Sequence, residues 1–258
     1  MSNLGPVVKR ELQSYFFSPI AYVVIVMFLV LSGYFFQLGL AVYHELSFRL
    51  ISSNYRLPLD ELTLFEKVMR PWFQNLTVIL LLFVPMVTMR LFSEEKKSGT
   101  IELLLTYPIR DFEVVMGKYI AAVMVLVTML VCTSPYLLIL SQFKVPPMAT
   151  VLTGYLGIFL LGAAFIAIGI FVSSLTENQI VAAVSTFAGL LLFWIIGWTV
   201  GESLSTMEKV VQYASLLEHF DGFAKGIIDT KDVVYYASII FFFLFLTLRT
   251  LETKKWRG

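Results

Sequence analysis

Charged side chains are scarce in this chain: they fill 14% of its 258 positions, where an ordinary soluble domain devotes about 25% to them. With 58% of the residues hydrophobic, a soluble globular protein is excluded. A single cysteine, Cys132, rules out an intrachain disulfide, and its place inside an apolar run marks it as a small packing residue. Histidine is almost as rare. His44 and His219 lie far apart, with no HExxH spacing and no neighbouring ligand set, so no metal centre is expected. His219, within LEHFDGF, reads as a polar position on an amphipathic helix. No GxxxxGK[ST] occurs, so the chain has no phosphate-cradling loop and is not its own P-loop ATPase. A net charge of +1 supplies none of the basic field that nucleic-acid binding needs.

In place of charge there are long apolar runs. A helix rises 1.5 Å per residue, so about 20 mostly apolar residues cross the ~30 Å hydrocarbon core of a bilayer. Six stretches qualify: Ile20 to Tyr43, Trp72 to Phe92, Gly117 to Phe143, Thr150 to Leu175, Ile180 to Val200, and Val233 to Leu251. Inside lipid such runs satisfy their own backbone hydrogen bonds only as helices, so the expected fold class is all-α, a polytopic membrane protein with six transmembrane helices. No small-residue cleavage pattern follows the first run, which is therefore expected to remain as a span.

An even number of spans places both ends on one side, together with the loops 93–116 and 176–179. Eleven of the 19 basic residues fall there: Lys9, Arg10, Arg90, Lys96, Lys97, Arg110, Lys118, Arg249, Lys254, Lys255 and Arg257. By the positive-inside rule that side is cytoplasmic. Span interiors carry almost no ionisable residues, which disfavours a proton- or sodium-coupled carrier, and no charged ring or filter points to an ion pore. Whatever passes meets an apolar and aromatic surface. Pro85 and Pro135 are expected to kink their spans. The small residues Gly154, Gly157, Gly162, Gly169 and Gly189, and the Gly197–Gly201 pair, suit close helix packing inside one subunit more than a subunit interface.

Ahead of the first span, GPVVKRELQSYFFSPIAY places Val8, Leu12, Tyr15 and Phe16 on one stripe, flanked by Lys9 and Arg10. Residues 1–19 are thus expected to lie in the membrane interface, as a plain anchor or with a mechanical role. A charged cassette, RLFSEEKKSGTIELLLTYPIRD, joins the second and third spans. From Ser93 to Thr106 it favours a helix, with Ile101, Leu104 and Leu105 on its apolar face and Glu94, Glu95, Lys96, Lys97 and Glu102 on the polar remainder. Pro108 ends it, and Asp111 is a plausible N-cap for the next helix. Such a helix serves either as a rigid lever for a soluble partner or as another interfacial helix.

EEKKSGTIELLLTYPIRDFEVVMGKY resembles the segment after the second span in permease subunits of ABC-2 type exporters, where an acidic pair, a Gly-Thr, a leucine-rich turn, a P-[IV] and a GK recur. KRELQSYFFSPIAYVV and SLLEHFDGFAKGIIDTKDVVYYASIIFFFLFLTLRTLE are similar to the subgroup of the gliding-motility-associated permease and its nitrous-oxide-reductase-maturation relatives. The resemblance covers nearly the whole chain and implies a six-span permease half of a bacterial inner-membrane exporter. It implies a second permease copy or paralogue and two ABC ATPase subunits, which bind ATP and Mg; this chain itself holds no cofactor. It makes 93–107 a coupling helix carried by Glu94, Glu95, Gly99, Thr100, Glu102 and Leu103, and makes Thr176, Glu177, Asn178 and Gln179 a second ATPase contact. The helix from Val7 to Phe16 becomes a connecting helix.

Residues 201–232 become short non-cytoplasmic helices, with Val210, Val211, Ala214, Leu217 and Phe220 forming an apolar face that caps the route or rests on the bilayer. The outer loop 45–71 is too short for an independent domain. Export of an amphipathic cargo, with an accessory membrane protein as a further partner, is one expectation. Mechanical work on an external partner without solute transport is another, and an intramembrane enzyme is a third, lacking any convergent nucleophile, base and metal set.

Overall fold

The computed structural model describes residues 4–52, 65–100, 110–142, 147–196, 213 and 215–255. Every regular element among them is helical. In chain order these are α1 (Leu4–Phe16), α2 (Pro19–Ser52), a π-helical turn (Phe65–Met69) running into α3 (Arg70–Thr88), α4 (Arg90–Lys97), α5 (Asp111–Val131), α6 (Ser134–Ser141), α7 (Met148–Leu175), α8 (Gln179–Ile196), α9 (Glu218–Ala224) and α10 (Thr230–Lys255). Six helical stretches are long and apolar enough to cross a membrane, counting the π turn with α3 and α4, and α5 with α6, as single spans. The expected count and order of spans is what the structure has.

Two spans form the centre and four surround them. The most apolar windows of α3 and of α7 are each 72% buried, against 17–33% for the other four. Composition explains the division. α7 places Gly154, Gly157, Gly162 and Gly169 against neighbours: a Cβ at Gly154 would lie 2.3 Å from Phe73 Cε2, and one at Gly169 2.2 Å from Thr88 Oγ1. In lipid, where apolar burial alone drives no association, such close backbone approach is what lets van der Waals packing hold helices together. These four contacts are inside one chain, as expected; a Cβ at Gly189 would meet nothing within 4 Å among the described residues, and Gly197 and Gly201 lie outside them.

The spans differ from expectation at their ends. α2 reaches Ser52 and not Tyr43, and the stretch beyond the apolar run carries an i, i+4 pair between Glu45 and Arg49 (2.6 Å) that favours helix. At about 50 Å it is far longer than a bilayer core is thick. Pro135 does interrupt its span: α5 ends at Val131, Cys132 and Thr133 form a turn, and α6 restarts with the proline in its first turn, where no amide is needed. The break is pinned by Thr133 Oγ1 to the Tyr155 hydroxyl (2.8 Å) and by the Tyr136 hydroxyl donating to the Leu29 carbonyl (2.8 Å). Cys132, expected to be a small packing residue, is exposed: its amide still donates to the Thr128 carbonyl (3.0 Å), and it continues the outward face of Met124, Val127 and Val131. α5 begins one residue from expectation: Arg110 is the cap, its amide donating to the Glu113 carboxylate (3.3 Å), and Asp111 is the first helical residue.

Candidate functional site

Two clusters of charge sit at opposite ends of the bundle. One gathers α1, α4, the start of α5 and the end of α7; the other gathers α9 with the starts of α3, α7 and α10.

At the α1 end, α4 follows α3 after a turn at Met89, whose amide still donates to the Pro85 carbonyl (2.9 Å). Here α7 grips the chain. Ser173 Oγ accepts from the amides of Phe92 (3.1 Å) and Ser93 (3.2 Å) and donates to the Met89 carbonyl (3.1 Å), while the Lys96 ammonium donates to the Ser174 carbonyl. The Tyr15 hydroxyl of α1 donates to the Val87 carbonyl (2.8 Å). Burial, then the Glu11 carboxylate, raise the pKa of that phenol against the opposing pull of Arg90, so it stays a neutral donor.

The centre of this end is Lys118 on α5. Its ammonium is buried and reaches Glu11 of α1 (3.1 Å) and Glu95 of α4 (2.9 Å), and it lies 5.2 Å from the ring centroid of Phe92. Arg10 approaches Glu95 from the surface at 3.8 Å. Glu95 Oε2 is buried with no hydrogen-bond partner among the described residues. Burying a charge is tolerable only with a partner, and removing one member of such a set leaves the others uncompensated. One lysine thus joins three helices, and α1 seats closely enough that a Cβ on Gly117 would lie 2.5 Å from Val7 Cγ1.

The expected contact residues divide on this geometry. Glu94 is exposed and pairs with Arg90 (2.9 Å), and Ser98, Gly99 and Thr100 form an exposed turn closed by a 2.8 Å hydroxyl contact between Ser98 and Thr100. Gly99 has φ +68°, the left-handed conformation that ends a helix and that a side chain resists. The helix expected over Ser93 to Thr106 is therefore interrupted at Ser98–Gly99; Glu102 and Leu103 lie outside the described residues. Glu95 and Lys96, expected on a solvated face, point inward instead, because the packed side of α4 faces α1, α5 and α7. In the α7–α8 turn, Thr176 Oγ1 accepts from the Asn178 amide (3.2 Å), and Asn178 Oδ1 caps α8 by accepting from Ile180 (2.9 Å) and Val181 (3.4 Å). Glu177 and Asn178 are exposed and Gln179 is half-buried as the first residue of α8. Since Ser173 and Ser174 immediately precede this turn, the two expected contact segments are brought to one end and tied by hydrogen bonds.

At the α9 end, His219 is buried, with Nδ1 2.6 Å from Asp232 Oδ1 and Nε2 3.0 Å from the Tyr213 carbonyl. A carbonyl only accepts, so Nε2 donates to it and a proton lies between Nδ1 and the carboxylate. Tyr235 stacks on the imidazole, with centroids 3.8 Å apart and planes at 19°. The amphipathic-helix reading of His219 missed this, because Asp232 lies thirteen residues on, in the first turn of the last span. Arg70 of α3 bridges to Asp221 of α9 (3.0 Å), which also meets Lys225 (2.5 Å). Burial pushes the Asp221 carboxyl up, and Lys225 and Arg70 more than reverse it, so its pKa lies below the ordinary 3.8. Leu217 and Phe220 fall on this cap, where the buried Phe220 packs toward α7; Val210, Val211 and Ala214 lie outside the described residues. No group of three or more His, Cys, Asp or Glu suited to a metal occurs among the described residues.

Residues 6–251 match the family described as ABC-2 family transporter protein. No curated protein matches the chain.

Proposed function

Because the chain belongs to the ABC-2 transporter family, as its multi-pass membrane component, we propose that it is the permease half of an ATP-driven exporter whose force arrives at the α1 end. Two separate ATP-binding subunits, which carry the ATP and Mg, grip the exposed turn Ser98–Thr100 with Glu94, and the turn Thr176–Gln179. The α1 end faces the cytoplasm of a bacterial cell, in line with its excess of Lys and Arg. A second permease, identical or paralogous, completes the complex, and the cargo is amphipathic.

The observation that carries this reading is the Lys118 centre. A partner that pushes α4 moves Glu95, and Lys118 passes the displacement to α5 and to α1, while Ser173 passes it to α7. An exposed turn mounted on buried ion pairs transmits a push; a floppy loop would absorb it. ATP binding biases the inward and outward arrangements only through contacts that differ between them, and the tip of α4 is where such contacts are made.

The test is isolation of the tagged chain from its native membrane with identification of what accompanies it, combined with labelling of a Thr100→Cys variant. A Walker-motif ATPase should copurify, and a membrane-impermeant thiol reagent should reach the introduced cysteine only from the cytoplasmic side. Labelling from outside intact cells would overturn the proposal. Transport of fluorescent amphiphiles into vesicles by the purified complex separates export from purely mechanical work.

A further inference from the structure

The helix α1 seats on α5 by one side only. Val7 and Glu11 face Gly117 and Lys118, and the neighbouring side of α1 bounds an open groove of about 570 Å³ whose other wall is Ile120 and Met124 of α5. Its lining is apolar except at the rim, where Lys9 and Gln13 stand. Nothing of this chain among the described residues fills the groove. We propose that it is a binding site for one anionic phospholipid, an acyl chain lying in the groove and the phosphate held at Lys9. This inference rests on the seating of α1 against α5, not on the proposed ATPase contact.

Two observations select a lipid. The groove is continuous with the lipid-facing surface of a membrane span: Ile120, Met124, Val127 and Val131 recur at helical spacing down α5, and the last three are 45%, 40% and 62% exposed. An acyl chain following that stripe away from the helix end leaves its headgroup at the level of α1. There the charge is complementary. Lys9 is exposed and has an apolar stem to lay along the groove while its ammonium reaches the interface, and the Gln13 amide on the same face adds a donor for phosphate or glycerol oxygens. The acid nearest in sequence, Glu11, is turned inward and spent on Lys118. An amphipathic helix with a basic rim is the arrangement that prefers anionic over zwitterionic headgroups.

The test uses the full chain reconstituted in vesicles of equal phosphatidylglycerol and phosphatidylcholine, re-extracted gently, with retained lipids counted by native mass spectrometry. Wild type should retain phosphatidylglycerol in preference. Lys9→Gln should cut that preference about fivefold, the factor expected of one lysine at an anionic surface, while Arg249→Gln, an exposed cation elsewhere on the chain, should leave it intact. Leu12→Trp, which fills the groove, should release the bound lipid without unfolding the protein, as circular dichroism would register. Equal retention of the two lipids by wild type, an unchanged preference in Lys9→Gln, or an equal loss in Arg249→Gln would overturn the site. So would displacement of the lipid by inorganic phosphate at constant ionic strength, which would make the ligand a free anion.

Discussion

The two ends of the bundle solve the same problem in different ways. Each fastens a short peripheral helix to a span through buried ionisable side chains. The α9 end does it with a closed local pair: His219 and Asp232 are thirteen residues apart, both ring nitrogens are occupied, and Tyr235 covers the ring. The α1 end does it with a hub, in which one lysine serves two carboxylates 107 and 23 residues away. The pair joins two neighbouring helices, whereas the hub joins three, so a displacement of α4 is felt at α1 and α5 as well.

Lys118→Met should break the comparison most severely. It leaves the buried Glu11 without its cation and Glu95 with only the more distant Arg10, and losses of this kind cost about 3–5 kcal/mol. Thermal unfolding in detergent should show it, and the triple variant Glu11→Gln, Glu95→Gln, Lys118→Met should recover much of the loss, since a neutral set needs no counter-ion. At the other end His219→Phe keeps the ring packing against Tyr235 but strands Asp232. It leaves one buried carboxyl unpaired where Lys118→Met deprives two acids of their lysine, so this variant should sit between wild type and Lys118→Met. Equal effects at the two ends would mean that the hub is no more shared than the pair.

What the sequence made legible follows from the range of the interaction. The spans are runs of neighbouring residues, and their count, their order and the Pro135 break were readable. The stripe on α1 was readable for the same reason. The hub was not: Lys118 looks like one more positive-inside residue, and Glu95 like one more member of a solvated charge run, until Glu11 is brought to both by the seating of α1. Gly99 carried a weak signal, a glycine beside a serine in a helix-prone segment, and its left-handed φ divides what periodicity alone joined. His219 was missed because its partner belongs to the next helix.

Acid should separate the ends further. Asp221 has its pKa lowered through Lys225 and Arg70 despite the opposing effect of burial, so its contribution is complete above the ordinary value of 3.8 and is lost as pH falls through its lower folded value. Its pairs are half-exposed, which limits the effect to roughly 1 kcal/mol. A pH series of melting temperatures should show the wild-type curve falling toward Asp221→Asn below pH about 4, with the variant flat in that step. A variant that keeps the full wild-type acid dependence would assign the step to other carboxylates.

The smallest effect on stability should come from Glu94→Ala, and that is its use. Glu94 shares the α4 helix with Glu95, one residue away, yet its carboxylate is exposed and pairs with Arg90 at i, i+4, worth about 0.3–0.5 kcal/mol. The fold should not register its loss beyond that. If the exposed face of α4 meets an ATP-binding subunit, the same substitution should lower ATPase stimulation in the purified complex while the melting temperature holds. A variant with intact stability and intact stimulation would move the contact away from Glu94 and onto the α7–α8 turn, where Glu177 is the next exposed carboxylate on the same end.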